Sequence, residues 1–67
     1  MTNKMTPMAD YQLPYMRKLA LANHEFESGM HLLRLTFREG NRITAIDVDR
    51  DNAAAIGQAM LDWAATQ

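Results

Sequence analysis

Few side chains in this 67-residue chain have the chemistry that catalysis or metal binding requires. Its two histidines are His24 and His31, and it contains no cysteine. A structural zinc site usually needs four ligands, which two histidines cannot supply alone. No glycine-rich phosphate loop or nucleophile elbow occurs either. We therefore expect no metal, no cofactor, no small-molecule substrate and no catalytic residue.

Acidic residues are the remaining candidates for general acid–base chemistry, and they include Glu25, Glu27, Asp47, Asp49 and Asp51. Such chemistry needs a cleft that shifts carboxyl pKa values, for which a domain of this size has little room. The three aspartates alternate at a predicted strand-to-helix junction, where helix capping and arginine pairing account for them. Their D-x-D-x-D spacing lacks the glycine and the distal glutamate of a calcium-binding loop. The sequence therefore predicts a protein that is not an enzyme.

Arginines and phenylalanines on neighbouring strands are typical of sheets that stack single-stranded bases on aromatic side chains. Here the arginines are Arg34, Arg38 and Arg42, and Phe26 is the only aromatic side chain left for stacking once Phe37 is assigned to the core. The net charge is −1 and the isoelectric point is about 6.0, without a lysine-rich stripe. This charge balance disfavours nucleic acid as a partner, and weak single-strand binding by Phe26, Arg34 and Arg38 is the alternative function.

The length of the chain allows one domain, whose small core leaves it marginally stable unless it packs very well or forms an oligomer. Residues 1–14 lack periodicity and contain Pro7 and Pro14, which predicts a flexible tail before a domain over residues 15–67. No apolar run is long enough to span a bilayer, and the N-terminus has no secretory h-region. We expect a cytoplasmic protein.

Residues 31–48 predict a β-hairpin, because two apolar segments flank a turn at Gly40-Asn41. A two-residue turn with glycine first suits type II′ geometry and makes paired residue numbers sum to 81. Slipping by one residue would put Leu33 opposite Asp47, so this register is strongly preferred. It forms the pairs Leu33–Val48, Leu35–Ile46 and Phe37–Thr44 on one face, and Arg34–Asp47 on the other.

Residues 17–26 allow two interpretations. Leucine, alanine and lysine favour a helix, whereas residues 27–29, which end in Gly29, resemble a three-residue hairpin loop with glycine in the left-handed conformation. That loop would pair Phe26 with Met30, and it would place Leu19 and Leu21 on the face already chosen by the second hairpin. Because two independent turns select the same core face, we predict a strand.

Residues 49–67 predict a helix capped by Asp49 or Asp51. Its apolar stripe comprises Ala53, Ile56, Met60, Trp63 and Ala64. The predicted fold is α+β, with a three-stranded antiparallel meander (β-β-β-α) packed on one face by the C-terminal helix. The covered surface, called the first face below, carries Leu19, Leu21, Leu33, Leu35, Phe37, Ile46 and Val48.

The opposite surface of the sheet, the second face, is too apolar for a surface that only meets water. It carries Ala20, Ala22, His24, Phe26, Met30, Leu32, Arg34, Thr36, Ile43, Ala45 and Asp47. Either residues 11–16 fold back over it, or it binds a partner through Phe26, Met30, Leu32, Arg34 and Ile43. We expect a small non-enzymatic protein–protein interaction or accessory module, whose partner is a second copy in a homodimer or another protein.

Overall fold

The computed structural model describes residues 3–67. A four-stranded antiparallel sheet in the order β1-β2-β3-β4 is followed by one helix. This confirms the α+β class and the C-terminal helix, but the prediction of three strands is wrong. The elements are β1 (Lys4–Leu13), β2 (Arg17–Glu25), β3 (His31–Glu39), β4 (Arg42–Val48) and α1 (Arg50–Ala65), with a 3₁₀ turn over Pro14–Met16.

The additional strand, β1, is formed by residues that the sequence predicted to be a flexible tail. It pairs only with β2 and lies at the edge of the sheet, where a proline is tolerated because its missing N–H faces away from the ladder. The register shifts between Pro7 and Ala9. These residues therefore widen the sheet, and residues 11–16 do not fold back over the second face.

Both predicted hairpin registers are confirmed. Leu21 pairs with Leu35 across β2 and β3, and Leu35 pairs with Ile46 across β3 and β4. Residues 17–25 form a strand rather than a helix. Gly29 and Gly40 have φ values of 91° and 58°, as the two turns require. Because the turns fix the registers, they also fix which side chains share each face of the sheet.

Helix α1 begins directly after β4. Asp49 is its N-cap, since its Oδ1 accepts a hydrogen bond of 2.8 Å from the backbone N–H of Asn52. The helix approaches the sheet mainly at β3. It does not close a core, because no apolar residue among residues 3–67 is buried. Trp63, expected to be a core residue, is 68% exposed.

The molecule is a thin plate with principal extents of 44 × 30 × 15 Å. Its radius of gyration is 13.5 Å, whereas a compact chain of this length has about 11 Å. Its accessible surface is 5621 Å², compared with about 4,300 Å² for a typical folded monomer of its mass. The chain therefore exposes about 1,300 Å² more surface than a closed domain of the same size.

Candidate protein interface

A groove of about 280 Å³ lies between the first face of the sheet and α1. Its walls are almost entirely apolar, and none of its residues carries a charge at neutral pH. The groove, as the term is used below, is lined by Tyr11, Leu19, Leu21, Leu33, Leu35, Val48, Ala53, Ile56, Gly57 and Met60. It is thus made mostly from residues that the sequence assigned to the core, with Tyr11 of β1 and Gly57 of α1 added.

The groove stays open because the helix residues that face the sheet are small. Ala53 and Gly57 are the only partly buried residues of α1, and both are small. A Cβ added at Gly57 would meet no atom within 4 Å, so the helix does not touch the sheet there. The larger stripe residues Ile56 and Met60 line the groove without filling it.

The outer part of the helix continues the apolar surface beyond the groove. Met60 is 59% exposed, and Leu61 and Trp63 are more exposed still. A second, more open depression on this side is lined by Ile56, Ala59, Met60, Trp63 and Ala64. Phe37 and Ile46, on the first face of the sheet, also remain exposed. Groove and helix stripe therefore form one apolar surface, well beyond what scattered apolar residues produce.

Polar pairs lie at both ends of the first face. At one end, Arg17 forms a salt bridge of 2.6 Å with Glu39 across β2 and β3. At the other end, Asn23 Oδ1 lies 3.2 Å from His31 Nδ1. An apolar centre with polar ends is the usual anatomy of a protein interface.

The five residues predicted to bind a partner lie on or beside the second face, but they do not form one cluster. Phe26 and Met30 are joined by a backbone hydrogen bond of 2.8 Å at the β2–β3 loop, and Leu32 and Arg34 follow on β3. Ile43 pairs with Arg38, about 13 Å further along the strand than Arg34. The structure therefore spreads the five residues along the second face, from Phe26 and Met30 at the β2–β3 loop to Ile43 at the opposite end.

Two of the side chains predicted to bind a partner on the second face are engaged within the chain. The ring of Phe26 stacks on His24 with a centroid distance of 4.1 Å. Arg34 donates hydrogen bonds to both carboxylate oxygens of Asp47, at 2.8 and 2.9 Å. These hydrogen bonds, reinforced by the opposite charges, lower the pKa of Asp47 and raise the pKa of Arg34. Both groups are therefore held in their charged forms.

His24 is the one buried residue in the described part of the chain, at 7% exposure. Its Nδ1 is buried without a hydrogen-bond partner. Its cross-strand neighbours are Met5 and Leu32. No group of three or more histidine, cysteine, aspartate or glutamate side chains in residues 3–67 is placed to hold a metal ion.

A family model described as "Family of unknown function (DUF6967)" matches residues 2–66. The chain belongs to this family. No curated protein and no solved structure matches this DUF6967 chain. Within the described residues, no helix of the DUF6967 chain is both long and apolar enough to cross a lipid bilayer.

Proposed function

We propose that this protein is a non-enzymatic interaction or accessory module that binds an apolar surface of a partner protein in the groove. The observation that carries the proposal is the open groove in a chain whose described apolar residues are all at least partly exposed. Apolar surface is stabilised by about 25 cal/mol for each Å² removed from water. A partner that fills the groove would therefore supply burial that this chain does not supply itself.

The polar ends of the first face support a specific docking site. The Arg17–Glu39 salt bridge and the Asn23–His31 contact flank the apolar centre. Polar groups at the rim exclude mismatched partners and fix orientation, while the apolar centre provides most of the binding free energy. The sequence prediction placed the partner on the second face, whereas this proposal places it on the first face, where the apolar groove lies.

Single-strand nucleic-acid binding has less support. Its stacking platform, Phe26, already stacks on His24, and Arg34 is paired with Asp47. The net charge of −1 also offers little attraction to phosphates.

Two variants of equal design test the proposed site. Met60→Glu places a charge at the groove, and Ile43→Glu places one on the second face at a residue of similar exposure, 59% against 56%. Tagged wild-type and variant proteins would be compared by quantitative capture from host extract, the cytoplasmic fraction first because the sequence predicts that location. We expect Met60→Glu to lose the proteins captured by the wild type and Ile43→Glu to keep them.

Two outcomes would contradict the proposal, one in the capture experiment and one in a direct oligonucleotide-binding assay. If capture does not change in Met60→Glu, the groove is not the docking site. If the wild type binds fluorescent single-stranded oligonucleotides tightly, with an affinity that falls steeply with salt, the nucleic-acid alternative replaces the proposal.

A further inference from the structure

We propose that the partner in the groove is a second copy of this chain, in a two-fold dimer whose interface is the first face and the apolar stripe of α1. The exposed stripe residues Met60 and Trp63 of each protomer then cover the open first face of the other. This inference rests on the proposed function, since it names the partner of the same groove. It differs from the sequence prediction, which put a homodimer interface on the second face.

The exposed area agrees with this choice of partner. The chain exposes about 1,300 Å² more than a closed monomer of its mass, so a dimer that buried this excess would remove about 2,600 Å² in total. Obligate homodimers bury about 2,000–5,000 Å², whereas standard non-obligate complexes bury about 1,600 Å². The excess therefore has the size of an obligate homodimer interface.

The shape of the surface is suited to self-pairing. The lining of the groove includes two small helix residues, Ala53 and Gly57, whereas the large side chains of Met60, at the groove, and Trp63, beyond it, are mostly exposed. A two-fold axis brings the projecting part of each copy to the hollow part of the other, because in an isologous interface every contact occurs twice. A different protein would have to supply both a matching projection and a matching hollow.

The distribution of charge also permits two copies to pair through the first face. A two-fold axis places like charges near each other, which costs free energy when the interface centre is charged. The residues that line the groove carry no charge. At the edge of the first face, Arg17 and Glu39 already neutralise each other within one chain. The centre of the second face, in contrast, holds the charged pair Arg34–Asp47.

Sedimentation equilibrium of the purified full-length protein at micromolar concentration tests the inference. We expect twice the chain mass for the wild type and for Ile43→Glu, and a loss of at least tenfold in association for Met60→Glu. Circular dichroism on the same samples reports whether each variant is folded. A wild type that is folded and strictly monomeric overturns the inference, and so does dimer loss in Ile43→Glu with a normal dimer in Met60→Glu.

The fluorescence of the single tryptophan keeps the inference testable if Met60→Glu does not fold. Trp63 is 68% exposed in one chain, so a quencher in solution should reach it in the monomer but not in the dimer. We expect quenching of the wild type to be weak at micromolar concentration and to increase several-fold on dilution into the nanomolar range. Strong quenching at every concentration would overturn the inference. If the wild type is monomeric and extract proteins still bind through Met60, only the second copy is excluded and the proposed function stands.

Discussion

The Arg34–Asp47 pair joins β3 to β4 through two hydrogen bonds, and it should make stability depend on pH. The pair lowers the pKa of Asp47 in the folded state, so the folded chain binds that proton less tightly than the unfolded chain does. Its contribution is therefore complete above the ordinary carboxyl pKa, about 4, and is lost as the pH falls through the lowered value. The raised pKa of Arg34 lies above the working range and adds no dependence there.

Urea unfolding between pH 3 and pH 7 measures this effect. We expect Asp47→Asn to be less stable than the wild type at pH 7 and to lose less stability on acidification. Glu27→Gln, in the exposed β2–β3 loop, is the control and should keep the wild-type slope. If the free energy of unfolding of Asp47→Asn falls as steeply with decreasing pH as that of the wild type, other carboxyl groups cause the pH dependence.

Gly29 occupies the left-handed region with φ of 91°, where a side chain is strained even though the space around it is open. We expect Gly29→Ala to lower the free energy of unfolding by about 1–2 kcal/mol, the usual cost of that backbone conformation for a residue with a Cβ. Ser28→Ala, in the same loop, should change it by less than about 0.5 kcal/mol. Equal effects of the two substitutions in denaturant titrations would contradict the assignment of strain to Gly29.

At the scale of elements, the start of α1 depends on one side chain. Asp49 Oδ1 accepts the hydrogen bond from Asn52 N–H, so Asp49→Ala should cost about 1 kcal/mol of stability. Asp49→Asn keeps an acceptor at the same place and should recover most of that loss. Thermal unfolding followed by circular dichroism compares the two variants, and similar losses in both would mean that the carboxylate charge, rather than the cap, matters.

The two hairpins could be derived from the sequence, because Gly29 and Gly40 fix the turn types and each turn fixes a register. Strand β1 could not be derived in this way. Its residues lack regular apolar alternation and include Pro7, and they are extended because β2 offers them a hydrogen-bonding edge. An edge strand of this kind is defined by its neighbour more than by its own residues.

The composition of the groove could also be derived from the sequence, but not its openness. The first-face leucines of β2 and β3 and the helix stripe were assigned to one core, and those leucines do line one space with Ala53, Ile56 and Met60. Whether that space is filled depends on how deeply the helix docks, and periodicity does not report depth. Ala53 and Gly57 were the available signal, because small residues at the centre of a helix stripe bury little area.

At the scale of the whole molecule, the thin shape and the open groove have the same cause. One helix that approaches the sheet mainly at β3 does not cover a four-stranded sheet, so the core of the single chain is incomplete. A chain of 67 residues without disulfides has few other ways to gain stability than association. In the proposed dimer, folding and association are coupled, so the stability of the protein should depend on its concentration.

The urea midpoint of the wild type, measured over a hundredfold range of protein concentration, tests this central claim most directly. In a dimer that dissociates as it unfolds, each tenfold dilution removes about 1.4 kcal/mol. With a slope of about 1–2 kcal/mol per molar urea, the midpoint should fall by about 1 M for each tenfold dilution. A midpoint that is the same at every concentration would contradict the account, because it would show that the single chain is stable without a partner.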